Sequence, residues 1–115
     1  FSDTGLYSIY LGTDKKHLSK SVSLVHKELQ KLKTKKLGAI QLHQTKQQFI
    51  GQLALANESK LSLMQALAKS IMHFDKVDSL SQIFDAINQI TSEELLEVAN
   101  EIFEQGNINY LAYVS

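Results

Sequence analysis

Cysteine, proline and arginine are all missing from these 115 residues, and each absence removes a class of explanation. Without cysteine there is no disulfide framework, no thiolate metal site and no cysteine nucleophile. Without proline, whose average share is about 5%, helices run on until glycine, polar or capping residues stop them. Without arginine, all twelve cations are lysines. The bidentate fork that suits phosphate and guanine is then lacking, which argues against nucleic acid as a partner. No run of about eighteen apolar residues is present, which excludes a transmembrane helix, and no basic-then-apolar segment looks like a signal peptide. The chain therefore reads as soluble, with no membrane partner, and leaves bacterial cytoplasm and periplasm equally open. Opening at Phe1 without a methionine, it reads as a segment of a longer protein.

What is present suffices for one domain: 43% of residues are apolar, enough for a core at this length. Net charge is zero but unevenly spread. Residues 1–57 carry nine lysines against Asp3, Asp14 and Glu28, a balance of +6. Residues 58–115 carry Lys60, Lys69 and Lys76 against nine acids, a balance of −6. A basic surface for an anionic partner is one reading; two halves that attract each other within one fold is the preferred one.

Two stretches alternate with the period of a strand. In Asp3–Thr13, Tyr7, Ile9 and Leu11 share one face, and Leu6, Ser8 and Tyr10 the other. Ile108–Val114 alternates likewise. Between them the period is helical. Leu18, Val22, Val25, Leu29 and Leu32 form a continuous stripe on a first helix, capped near Gly12-Thr13-Asp14 and running to about Lys35. Leu37-Gly38 breaks it. A second helix restarts near Ala39 with Leu42, Phe49, Leu53 and Ala56 as its buried stripe and Ile50 beside it, and Gly51 inside it marks a close approach. After a break at Asn57-Glu58-Ser59, Leu63, Leu67, Ile71 and Phe74 share one face of a third helix. Asp75–Asp78 is a polar connection. Ser79 with Gln82 predicts a capping box for a short fourth helix. Thr91 with Glu94, and Ile90 stapled to Leu95, start a fifth carrying Val98, Ala99, Ile102 and Phe103, closed by Gly106-Asn107. The expected fold class is α+β: about five helices on one face of a small sheet formed by the N- and C-terminal strands. The free edges of such a sheet would allow a homodimer.

Chemistry is harder to find. His17, His26, His43 and His73 lack the H-E-x-x-H and H-x-x-E-H spacings, and no two lie three or four residues apart. His26 is followed by Lys27, Glu28, Leu29 and Gln30. The five glycines are too scattered for a phosphate-binding loop, and no nucleophile elbow occurs. Glu93 and Glu94 suit the first turn of a helix. Tyr7, Tyr10, Tyr110 and Tyr113 read as sheet residues, or as an aromatic patch for peptide or base stacking.

The order of Asp3–Thr13, Lys27-Glu28-Leu29-Gln30-Lys31-Leu32, Gln44–Leu53 with Glu58-Ser59, and Ile90–Asn100 resembles the second half of a domain of the insulinase/pitrilysin-type zinc peptidases, in the style of the mitochondrial processing peptidase branch. The resemblance covers essentially the whole chain. It implies a parent zinc metallopeptidase of paired α+β domains enclosing a chamber, with peptide bound as an added strand. The family's H-x-x-E-H helix and third Glu ligand belong to its N-terminal catalytic domain and have no match here. The substrate-contacting Arg and Tyr would fall just before Asp3, so they are not carried over either. The resemblance thus implies a non-catalytic fragment, residues 1–115 as one unit from a C-terminal domain. It has no catalytic, cofactor-binding or metal residue of its own; zinc is held elsewhere in the parent, and the partners are the remaining peptidase domains or a paired catalytic subunit. A catalytically inactive structural member, like the core proteins of a respiratory complex, and an anion-binding module built on the helix-one lysines are the alternatives.

Overall fold

The structure, a computed structural model, describes residues 4–104 and 106–114. Among them are five α-helices: α1 (Leu18–Thr34), α2 (Ala39–Ala56), α3 (Lys60–Phe74), α4 (Leu80–Gln89) and α5 (Ser92–Ile102), with a 3-10 turn at Lys15–His17 before α1. The chain divides into two compact units. The first combines residues 3–37 with 92–115, and so holds α1 and α5. The second spans Gly38–Thr91 and holds α2, α3 and α4.

The expected sheet does not form among the described residues, and the fold is all-helical rather than α+β. Residues 5–14 and 108–114 lie without regular structure; Asp3 falls outside the described residues. Alternation decides which side of an extended chain each residue faces, but a strand exists only through a ladder to a neighbour. Among the described residues the backbone bonds outside the helices are turns and caps, and none joins these two segments. Two strands alone make a marginal sheet in any case.

In the first unit, the α1 stripe read from sequence is shielded from Leu18 to Leu29, while Leu32 is exposed. Leu29 from α1, Ala99 from α5 and Phe103 just beyond it form the buried cluster, with Val25 against it. Polar bonds fix the two helices side by side. Asn100 Nδ2 donates to the Lys33 carbonyl at 2.9 Å, Ser92 Oγ to the Leu37 carbonyl at 2.8 Å, and Lys36 Nζ to Glu93 Oε1 at 2.8 Å. Tyr7 sets its ring edge-on to Phe103, centroids 5.3 Å apart.

The second unit is held differently. Ile87 on α4 is its buried apolar residue, and α2 packs on α4 with Lys46 Nζ donating to the Asn88 carbonyl at 2.9 Å. The shielded line of α2 is Leu42, Lys46, Ile50, Leu53 and Asn57, so the expected stripe holds at Leu42 and Leu53, while Phe49 and Ala56 are exposed. Gly51 has nothing within 4 Å of where a Cβ would stand, so the close approach expected there is not made. Helix α4 opens on the expected box: Ser79 Oγ accepts from the Gln82 N–H at 3.1 Å, and Gln82 Oε1 accepts from the Ser79 N–H at 2.7 Å. Helix α3 ends on Asp75 in the left-handed conformation, φ 55°, its N–H on the Ile71 carbonyl.

The charge asymmetry disappears when counted by unit. The first contains eight lysines and eight acids, the second four and four. Opposite charges separated along the sequence are brought together inside each unit, which favours the structural reading of the lysine-rich half.

Candidate functional site

Two features could carry function: the apolar surface left uncovered, and a basic recess on the first unit. The accessible surface is 9976 Å² for 12.9 kDa. A compact monomer of that mass exposes about 6,300 Å², and two separate compact units of half the mass about 7,600 Å² together. The surplus therefore lies within the units themselves. On α3 the expected buried face is open, with Leu63, Leu67, Ile71 and Phe74 all exposed, and Leu61, Met64 and Met72 exposed on its other sides. A helix that is apolar all round is normally covered all round. The extended segments repeat the pattern: Leu6, Tyr10, Tyr110, Leu111 and Tyr113 are exposed by three-quarters or more. Of the four tyrosines read as a patch, Tyr7 has a ring partner in Phe103. Exposed apolar surface on this scale marks an interaction site.

The recess has a volume of about 310 Å³ and is lined by His26, Lys27, Leu29, Gln30, Lys33, Phe103 and Ile108. Its formation follows from the α1 sequence. His26, Leu29, Gln30 and Lys33 are spaced by three, one and three, which places them on one helical face. Leu29 and Phe103 supply an apolar floor that belongs to the core cluster, and Ile108 supplies a wall. His26 lies on the helix surface, but the sequence carries no signal for the recess, because Phe103 and Ile108 reach it only through the fold. A smaller recess of about 80 Å³ lies among Thr13, Lys15, Leu18, Tyr113 and Val114.

Glu93 is held below the usual carboxylate range, chiefly by the Lys36 hydrogen bond, then by a backbone hydrogen bond at its own position and the Lys36 charge. This pair joins the tail after α1 to the first turn of α5, so it is structural.

Zinc sites take about three or four protein ligands. Among the described residues no three His, Asp or Glu side chains come close enough to hold a metal ion. His17 faces Asp14 at 3.8 Å, His26 lines the recess, and His73 stacks edge-on with Phe74 in the last turn of α3. The described residues do not fit a zinc centre. No helix among the described residues is long and apolar enough to cross a membrane.

Comparison with known proteins gives two relatives. The chain is 27% identical over 105 residues to the "uncharacterized zinc protease YmxG" of Bacillus subtilis, covering 91% of this chain and 26% of that protein. It is 20% identical over 114 residues to the mitochondrial-processing peptidase subunit beta of Saccharomyces cerevisiae, covering 97% of this chain and 25% of that protein. No family model matches the chain, and no solved structure does. The chain spans about a quarter of the length of the curated relatives it matches. What these likenesses establish is distant similarity, over nearly the whole chain, to proteins of the zinc peptidase kind.

Proposed function

We propose that this chain is a non-catalytic portion of a zinc-dependent metallopeptidase, the second half of a C-terminal domain, that builds part of the wall of the substrate chamber and supports the pairing of domains. The similarity running along 91% and 97% of the chain to a quarter of each of two peptidase proteins carries the reading. The uncovered apolar surface supports it, since α3 and the extended segments bear side chains that other peptidase domains, or a paired subunit, would cover. Zinc and the catalytic residues then belong to other parts of the assembly, and this chain contributes none.

The test is complementation. Pure 1–115 should cleave no peptide in a zinc-dependent manner, and mixing it with the remaining peptidase segments of its parent should restore cleavage that a chelator abolishes. Chelator-sensitive cleavage by 1–115 alone would overturn the reading. A structural, catalytically inactive relative is the second reading; it predicts stable association with the same segments and no cleavage, and an H-x-x-E-H helix in those segments argues against it.

A further inference from the structure

We infer that the recess on the first unit binds a small amphipathic anion, a carboxylate attached to an apolar body. The argument stands apart from the peptidase reading and rests on how the lining is sorted. The floor and wall are apolar: Leu29 and Phe103 are 8% and 9% exposed, and Ile108 closes the side. The remaining lining residues, His26, Lys27, Gln30 and Lys33, are hydrogen-bond donors or cations, and none is an acid.

The cations are also available. Lys27 and Lys33 have no carboxylate within ion-pair distance among the described residues. Glu28, the acid next to them in sequence, is held by Lys31 at 2.8 Å, and Glu93 by Lys36 at 2.8 Å. Position is fixed too, because Asn100 Nδ2 binds the Lys33 carbonyl and ties this turn of α1 to α5. Lys33 is half-buried, so its charge is screened less than that of a fully exposed lysine.

Size narrows the ligand. About 310 Å³ lies at the small end of ligand pockets, room for a branched side chain or a short acyl chain and not for a nucleotide. An apolar floor would waste a purely inorganic anion, and a cationic rim would waste a neutral hydrocarbon. A carboxylate on an apolar body meets both. Two sources share that chemistry: the C-terminus of a peptide ending in an aliphatic residue, and a short fatty acid.

The experiment is a titration of the full 1–115 chain followed by amide shifts in heteronuclear NMR. The probes are N-acetyl-leucine, its neutral analogue N-acetyl-leucinamide, octanoate and acetate. Saturable shifts at His26–Lys33 and Ile108 are expected with N-acetyl-leucine, octanoate or both. Binding of N-acetyl-leucinamide and of acetate should be at least about tenfold weaker, the first for want of charge and the second for want of apolar contact. Tighter binding of N-acetyl-leucine would assign the site to peptide ends, and tighter binding of octanoate to acyl chains. Lys27→Gln with Lys33→Gln should weaken the anions about tenfold and leave helix content unchanged. Ile108→Ser, which alters a wall outside the buried cluster, should weaken them severalfold. Equal binding of acid and amide, shifts unaffected by the lysine changes, or no saturation at millimolar ligand would overturn the proposal.

Discussion

The two units contain equal numbers of lysines and acids, yet they are held together by different means. In the first, α1 and α5 enclose a small core of Leu29, Ala99 and Phe103, and three side-chain bonds cross between its chain segments. In the second, Ile87 is buried, while α3 leaves Leu61, Met64, Ile71, Met72 and Phe74 exposed. Helices of 10 to 18 residues at this level of burial depend on their caps and local bonds. The difference separates what the chain completes by itself from what it leaves for a partner. On α1 the stripe turns Val25 and Leu29 inward, whereas α3 turns its apolar face outward, as do the extended segments of the first unit.

The largest expected effect tests that contrast directly. Phe103→Ala removes the ring on which Leu29, Ala99 and Tyr7 meet, and should destabilise the first unit by about 3 kcal/mol. Phe74→Ala, at a ring 71% exposed, should leave the stability of the isolated chain within about 0.5 kcal/mol. Urea unfolding followed by circular dichroism reads both. Equal costs would mean that α3 is covered in solution and would erase the distinction between the units.

A smaller effect is expected in the second unit. Ser79→Ala deletes half of the reciprocal cap on α4 and should cost about 1 kcal/mol, seen as faster hydrogen exchange at Ile83 and Phe84. Ser59→Ala at the start of α3 removes a single long contact, 3.4 Å to the Ser62 N–H, and should cost only a few tenths of a kcal/mol. If the two substitutions matched, the box would add nothing beyond one ordinary bond.

These caps also show what the sequence makes legible. Ser79 and Gln82 are three residues apart, and the bond they make is local, so spacing alone specifies it. The same holds for the restart at Ala39 and for the α1 stripe as far as Leu29, with Leu32 exposed. The sheet fails for the opposite reason. The pattern of Tyr7, Ile9 and Leu11 describes an extended chain, but a ladder needs a partner backbone, and alternation cannot show whether one is supplied within these residues. The α3 face fails similarly. Leu63, Leu67, Ile71 and Phe74 are correctly placed on a helix, and periodicity says that such a face wants burial without saying which chain provides it. The recess is illegible because it joins α1 to Phe103 and Ile108, some seventy residues away in sequence.

The smallest effect concerns the ion pair that distinguishes the first unit from the second. Lys36–Glu93 links segments far apart in sequence, whereas Lys76–Asp78 at 3.4 Å spans two residues within one connection. Glu93 is held below its ordinary value of 4.5, first by the Lys36 hydrogen bond. A carboxyl with a lowered folded-state pKa adds stability that is present above its unfolded value and is lost as the pH falls through the folded one. The contribution should therefore be intact at neutral pH and vanish on the acid side of 4.5. Both side chains are well exposed, so the effect is modest and screened by salt. Carbon-detected NMR titration should find Glu93 titrating below its ordinary value, and Lys36→Gln should return it there while flattening the acid limb of the unfolding midpoint. An unchanged titration in that variant would mean that the local backbone hydrogen bond, second among the causes, holds Glu93 without Lys36. The first unit would then rest on its core and the two remaining side-chain bonds between its segments.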